Sequence, residues 1–74
     1  MVRVRSLTDG TIFEGRDAQE LVLQMRDAVV HNRRLTLTEY MEVTRKWMKE
    51  PAVDTSSPEA FLDSLIALGY LERI

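Results

Sequence analysis

Residues 1–16 have the sequence MVRVRSLTDGTIFEGR, and this stretch decides the fold. Apolar and charged residues alternate before Asp9-Gly10, and β-prone residues resume after it. Asp-Gly between two such runs is a strong hairpin signal, because a type I′ turn needs positive φ at both central residues. The sequence therefore predicts a β-hairpin over 1–16, closed by a two-residue turn at Asp9 and Gly10.

Alternation along the two predicted strands sorts their side chains onto two faces. We expect Val2, Val4 and Phe13 to share the face that packs on the helices. The opposite face carries Arg3, Arg5, Glu14 and Arg16, with Leu7 and Ile12 near the tip. A two-residue turn places Arg5 opposite Glu14, which predicts a cross-strand ion pair on the solvated face.

Three segments after the hairpin carry helix signals, since apolar residues recur three and four positions apart and a capping residue precedes each segment. The predicted helices cover 17–32, 36–50 and 57–69. Thr36 and Glu39 form the clearest capping-box pattern, in which each side chain bonds the backbone N–H of the other. Gly69 favours the left-handed conformation that ends many helices.

Residues 70–74 alternate between apolar and charged side chains, which predicts a short final strand beside the hairpin. The predicted fold class is α+β: an N-terminal β-hairpin, then three helices, completed by that strand into a small antiparallel sheet (ββαααβ, or ββααα without the strand). We expect one domain over 1–74, because a chain of this length is near the lower size limit of independent folding.

The apolar stripes of these elements predict the hydrophobic core. The expected members are Val2, Val4, Phe13, Leu21, Val22, Met25, Val29, Leu37, Tyr40, Met41, Trp47, Phe61, Leu62, Leu65, Leu68 and Leu71. Trp47 continues the stripe of the second helix, which favours packing in the core. The alternative for Trp47 is the rim of an interface, where tryptophan is enriched.

The composition argues against catalysis and metal binding. The chain has no cysteine, so it offers neither a disulfide nor a thiolate metal ligand. Its single histidine, His31, has no second histidine or cysteine as a partner, and we interpret it as a surface residue at a helix end. Phosphate-binding, nucleophile-elbow and dinucleotide motifs are absent from the sequence. We predict a non-enzymatic protein with no cofactor, no metal and no evident small-molecule substrate.

Charge and hydropathy also argue against two classes of partner, nucleic acid and membranes. The formal net charge is −2 and the isoelectric point is about 5.3, so the chain lacks the overall positive field of a nucleic-acid binder. No apolar run approaches the length of a membrane span, and the first residues contain no apolar segment typical of a signal peptide. We therefore expect a cytoplasmic protein with no membrane contact.

Five arginines are the candidate nucleic-acid contacts: Arg3, Arg5 and Arg16 on the hairpin, and Arg33 and Arg34 after the first helix. A two-stranded ribbon bearing arginines can enter a major groove, and phosphate contacts require such basic residues. Glu14 neutralises part of this face, and no aromatic side chain on it offers a stacking platform for bases. A solvated sheet face is the simpler interpretation.

Leu23 and Val30 are seven positions apart and lie opposite the main apolar stripe of the first predicted helix. A helix that is apolar on two sides is either central in the fold or carries an interface. Leu23 and Val30, with Leu7 and Ile12 at the hairpin tip, are the candidate protein-interface residues. We predict a small non-catalytic module for protein interaction or self-association, with a protein partner or a homo-oligomer. The alternative is a nucleic-acid-associated regulator that uses the arginine-bearing face.

Overall fold

A computed structural model describes residues 1–74 and contains three strands and three α-helices. The strands are β1 (Val2–Ser6), β2 (Ile12–Gly15) and β3 (Leu71–Arg73); the helices are α1 (Ala18–Asp27), α2 (Leu37–Met48) and α3 (Pro58–Ala67). The sheet is antiparallel with the order β2-β1-β3, so the hairpin and the last strand pair as predicted. The predicted α+β fold, ββαααβ, is confirmed.

The core lies between the helices and the sheet face that carries Val4. Its buried members are Val4, Ala18, Leu21, Val22, Tyr40, Met41, Val53, Phe61, Leu62, Leu65 and Leu71. Val53, which the stripes did not predict, belongs to the connection between α2 and α3. Hydrogen bonds from the Asp54 backbone N–H to Ser64 Oγ and from Thr55 Oγ1 to Glu42 hold this connection against both helices. The loop therefore turns Val53 inward.

The predicted two-residue turn at Asp9 and Gly10 is wrong. Only Gly10 has a positive φ, +79°, and the Ser6 backbone N–H donates to the Thr11 carbonyl at 2.8 Å, which leaves a four-residue loop. Side chains of the loop satisfy its own backbone: Asp9 Oδ1, for example, accepts from the Thr11 N–H at 3.0 Å. Such local bonds compete with the tighter turn.

The longer loop changes the strand register by two residues. Arg3, rather than Arg5, lies opposite Glu14, and their charged groups are 3.2 Å apart. Arg5 is paired with Glu72 on β3 instead. Because side chains alternate with a period of two, a shift of two residues keeps every side chain on its predicted face. The predicted Arg5–Glu14 pair is therefore wrong, although the predicted faces are right.

The first helix is shorter than the predicted 17–32. Helix α1 ends at Asp27, Val29 is extended (φ −115°, ψ 117°), and a 3-10 segment follows over Val30–Asn32. β-Branched residues are poor helix formers, so the consecutive valines favour this break. Arg33 Nε donates to the Asp27 carbonyl at 2.9 Å and satisfies one of the carbonyl groups left free at the helix end.

Two residues expected in the core are exposed. Val29 is half exposed and lies in extended backbone after the end of α1. Trp47, in the last turn of α2, is 84% exposed, so no other element packs over it. Both core predictions are wrong, because apolar spacing on one element does not by itself supply a second element that covers it.

Predicted helix caps are present at α2 and α3. Thr36 Oγ1 accepts from the Glu39 N–H at 3.1 Å, and Glu39 Oε1 accepts from the Thr36 N–H at 2.8 Å, which is a complete capping box. Ser57 caps α3 through the Ala60 N–H. Gly69, with φ +86°, ends α3 and directs the chain into β3.

The capping box makes stability depend on pH. The Thr36 N–H, and secondly its hydroxyl, lower the pKa of Glu39 below its ordinary value. A carboxyl with a lowered pKa in the folded state stabilises above its unfolded pKa of about 4, and this contribution is lost as the pH falls through the folded value. We expect wild type to melt at a higher temperature than Glu39→Gln at pH 7, and the difference to shrink below about pH 4. Thermal unfolding at a series of pH values measures this, and a constant difference would contradict it.

Candidate protein-binding groove

The large exposed apolar side chains form two groups on the surface. One group belongs to the sheet face that the helices leave open, hereafter the outer sheet face: Met1, Leu7, Ile12, Tyr70 and Ile74. The other group lies at the junction of the 3-10 segment with α2: Val29, Val30, Val43 and Trp47. Val29, Val43 and Trp47 of the second group line a concave surface.

That concave surface, hereafter the groove, has a volume of about 500 Å³. Its lining residues are Val29, His31, Asn32, Tyr40, Val43, Thr44, Trp47 and Met48. One wall is the side of α2 from Tyr40 to Met48, and the other is the chain that leaves α1. The groove is open to solvent, as the exposure of Val29, Val43 and Trp47 shows.

Four of the groove-lining residues have polar side chains: His31, Asn32, Tyr40 and Thr44. Thr44 Oγ1 donates to the Tyr40 carbonyl at 2.9 Å. Burial raises the pKa of the Tyr40 phenol above its ordinary value, so the ring carries no charge at neutral pH. His31 is exposed and lies with Asn32 on the opposite wall. The groove is therefore a mainly apolar surface with tryptophan at its edge, which is the composition of a binding hot spot.

A second, polar cleft of about 300 Å³ lies between the first turns of α1 and α3 and the sheet. Both arginines that line it are paired with carboxylates: Arg16 with Glu20 and Arg73 with Asp63, each at 3.0 Å. No cluster of three or more His, Asp or Glu side chains is arranged to hold a metal ion. Every buried side-chain polar atom has a hydrogen-bond partner, so none points to a missing ligand.

The predicted interface residues are divided between separate parts of the molecule. Leu23 is partly buried on α1, whereas Val30 is 70% exposed in the 3-10 segment beside the groove. The two do not share a helix face, because the helix ends between them. Leu7 and Ile12 are both half exposed on the outer sheet face. None of the four therefore lines the groove, although Val30 lies between two residues that do, Val29 and His31.

Four of the five candidate arginines have partners within the chain. Arg3 pairs with Glu14, Arg5 with Glu72 and Arg16 with Glu20, while Arg33 donates to the backbone at the end of α1. Arg34 is exposed. The three hairpin arginines are thus each matched by a carboxylate, and Arg33 and Arg34 belong to the connection between α1 and α2.

The sequence analysis favoured a core position for Trp47 and gave the rim of an interface as the alternative. The spacing of Trp47 fits the α2 core stripe, and spacing alone does not say whether another element covers that place. Val29, which also lines the groove, was expected in the core as well.

Comparison of this chain with protein-family models, with curated proteins and with solved structures finds no match. None of the helices has the length and apolar character needed to cross a membrane.

Proposed function

We propose that this protein is a small non-catalytic module that binds another protein surface through the groove. The observation that carries the proposal is Trp47, the only tryptophan of the chain, which is almost fully exposed at the edge of an apolar concave surface. Exposing a side chain of this size and apolarity gives up a large hydrophobic contribution to folding. Tryptophan is also the residue type most enriched among the side chains that dominate binding energy.

The charge distribution supports protein binding over nucleic-acid binding. Binding to phosphates requires basic side chains that are free to replace counterions. Arg3, Arg5 and Arg16 are each neutralised by a carboxylate in the same chain, and the net charge is −2. A protein surface with complementary apolar shape is the partner that a mainly apolar groove favours.

Replacing Trp47 with alanine is expected to abolish partner binding without unfolding the protein. An exposed side chain contributes little to stability, so the free energy of unfolding should change by no more than about 0.5 kcal/mol. Removing a tryptophan hot spot should cost at least about 2 kcal/mol of binding. The measurement is a pull-down: tagged protein captures its partners from a lysate of the source organism, with and without nuclease treatment. Mass spectrometry then identifies the captured proteins.

Leu7→Ala is the matched control, because it removes an exposed apolar side chain from the outer sheet face instead. A defined protein that survives nuclease, is retained by Leu7→Ala and is lost with Trp47→Ala supports the proposal. Capture that disappears with nuclease, and with Arg3→Ala/Arg5→Ala, would instead establish the nucleic-acid alternative. Capture that is indifferent to Trp47 contradicts the use of the groove.

A further inference from the structure

We infer that the groove binds a second copy of this chain, in a two-fold dimer whose α2 helices pack antiparallel about Val43. This inference rests on the proposed function and names its partner. Three features of the molecular surface support a dimer of this kind: the shape of the groove region, the order of charges along α2, and the short edges of the sheet.

The groove region presents a projecting side chain and a concave surface on one side of the molecule. Trp47 projects from the last turn of α2, and the groove beside it is bounded by Val29, Tyr40 and Val43. An interface with two-fold symmetry uses the same patch on both subunits, so the patch must be complementary to itself. A projection next to a groove meets this requirement, because each Trp47 can enter the groove of the other copy.

The charges beside Val43 favour the antiparallel orientation. Glu39 lies one turn before Val43 and Lys46 about one turn after it, and helical spacing puts both on the solvent side of the apolar stripe. Two antiparallel α2 helices centred on Val43 bring Glu39 of each copy beside Lys46 of the other. The antiparallel pair also opposes the two helix dipoles favourably.

The sheet edges offer a poorer route to self-association. The edge strands β2 and β3 contain four and three residues, and edges this short provide few free backbone groups for pairing with another chain. A net charge of −2 also leaves little overall repulsion between two copies. The α2 surface is therefore the self-complementary patch that this fold exposes.

Fluorescence of the single tryptophan tests the inference at the site itself. We expect the Trp47 emission maximum to shift to shorter wavelength as the purified protein is concentrated, since the indole leaves water, while sedimentation equilibrium shows a dimer over the same range. Val43→Glu keeps the probe and puts two carboxylates across the symmetry axis, so it should weaken dimerisation about tenfold or more. Ile12→Glu, the same change on the outer sheet face, should leave the dimerisation curve unchanged.

Cross-linking tests the geometry without disturbing the charge. The chain has no cysteine, so Val43→Cys introduces a single thiol near the proposed two-fold axis. We expect mild oxidation to convert this variant to a covalent dimer far faster than Ile12→Cys, with circular dichroism showing both variants folded. Equal rates for the two variants would overturn the α2 arrangement.

The outcomes separate this inference from the proposed function. If the wild type sediments as a monomer up to millimolar concentration and its emission does not shift, the second copy is excluded as the occupant. Trp47-dependent capture of a different protein would then leave the proposed function standing. If neither self-association nor Trp47-dependent capture occurs, both proposals are overturned.

Discussion

Replacing Phe61 with alanine is expected to leave most of the protein unfolded at room temperature. Phe61 is completely buried in α3 and meets the Tyr40 ring edge-on, with centroids 6.2 Å apart and planes at 68°. Truncating a buried phenylalanine costs about 3–5 kcal/mol, because transfer energy is lost and a cavity remains. In a chain of about 70–80 residues a single hydrophobic core rarely supplies more than about 3–5 kcal/mol of stability, so this loss is comparable with the whole.

Urea unfolding followed by circular dichroism measures this effect. Phe61→Leu is the matched control: it keeps most of the volume and removes the aromatic contact, so we expect it to cost less than about 1.5 kcal/mol. Phe61→Leu should therefore show a cooperative urea transition, whereas Phe61→Ala should have lost most of its folded signal before urea is added. An unchanged midpoint for Phe61→Ala would contradict the position of α3 at the centre of the core.

Replacing Gly15 with alanine is expected to destabilise the fold by about 1–3 kcal/mol, although the change adds only one methyl group. Gly15 is buried at the end of β2, where a Cβ atom would lie 2.6 Å from the Leu21 backbone nitrogen and 3.1 Å from the Glu20 carbonyl carbon. These are backbone atoms of α1, so they cannot move aside as a flexible side chain could. The strand and the helix would have to separate.

The control for Gly15→Ala is a glycine with open space around it. A Cβ at Gly10 would meet no atom within 4 Å, and asparagine tolerates the positive φ found there. Gly10→Asn should therefore change the melting temperature much less than Gly15→Ala. Equal losses would mean that backbone freedom, rather than the close approach of β2 to α1, is what Gly15 provides.

The two apolar surfaces differ in what they offer a partner. On the outer sheet face, the Arg3–Glu14 and Arg5–Glu72 ion pairs lie among the apolar side chains. A partner that binds there must therefore also accommodate two ion pairs. The groove combines concavity with an exposed tryptophan and a mainly apolar lining. This contrast is why Leu7 and Ile12 serve as control positions for experiments on Trp47 and Val43.

The sequence by itself determined the order and type of the elements. The capping box of Thr36 and Glu39 and the helix end at Gly69 depend on hydrogen bonds within a few residues, so their signals are complete in the local sequence. Alternation likewise determined which hairpin residues face the core. The predicted faces are right even though the predicted turn is wrong, because a register shift of two residues keeps each side chain on the same face of the sheet.

Only the tertiary structure decided which apolar residues are covered. Val53 is buried because a loop is held against α2 and α3, and Trp47 is exposed because no other element packs over the last turn of α2. The pairing of Arg5 with Glu72 joins residues far apart in the chain. Periodicity tells which side of an element is apolar. Burial also requires a second element at that place, and its position depends on contacts between distant residues that no local pattern contains.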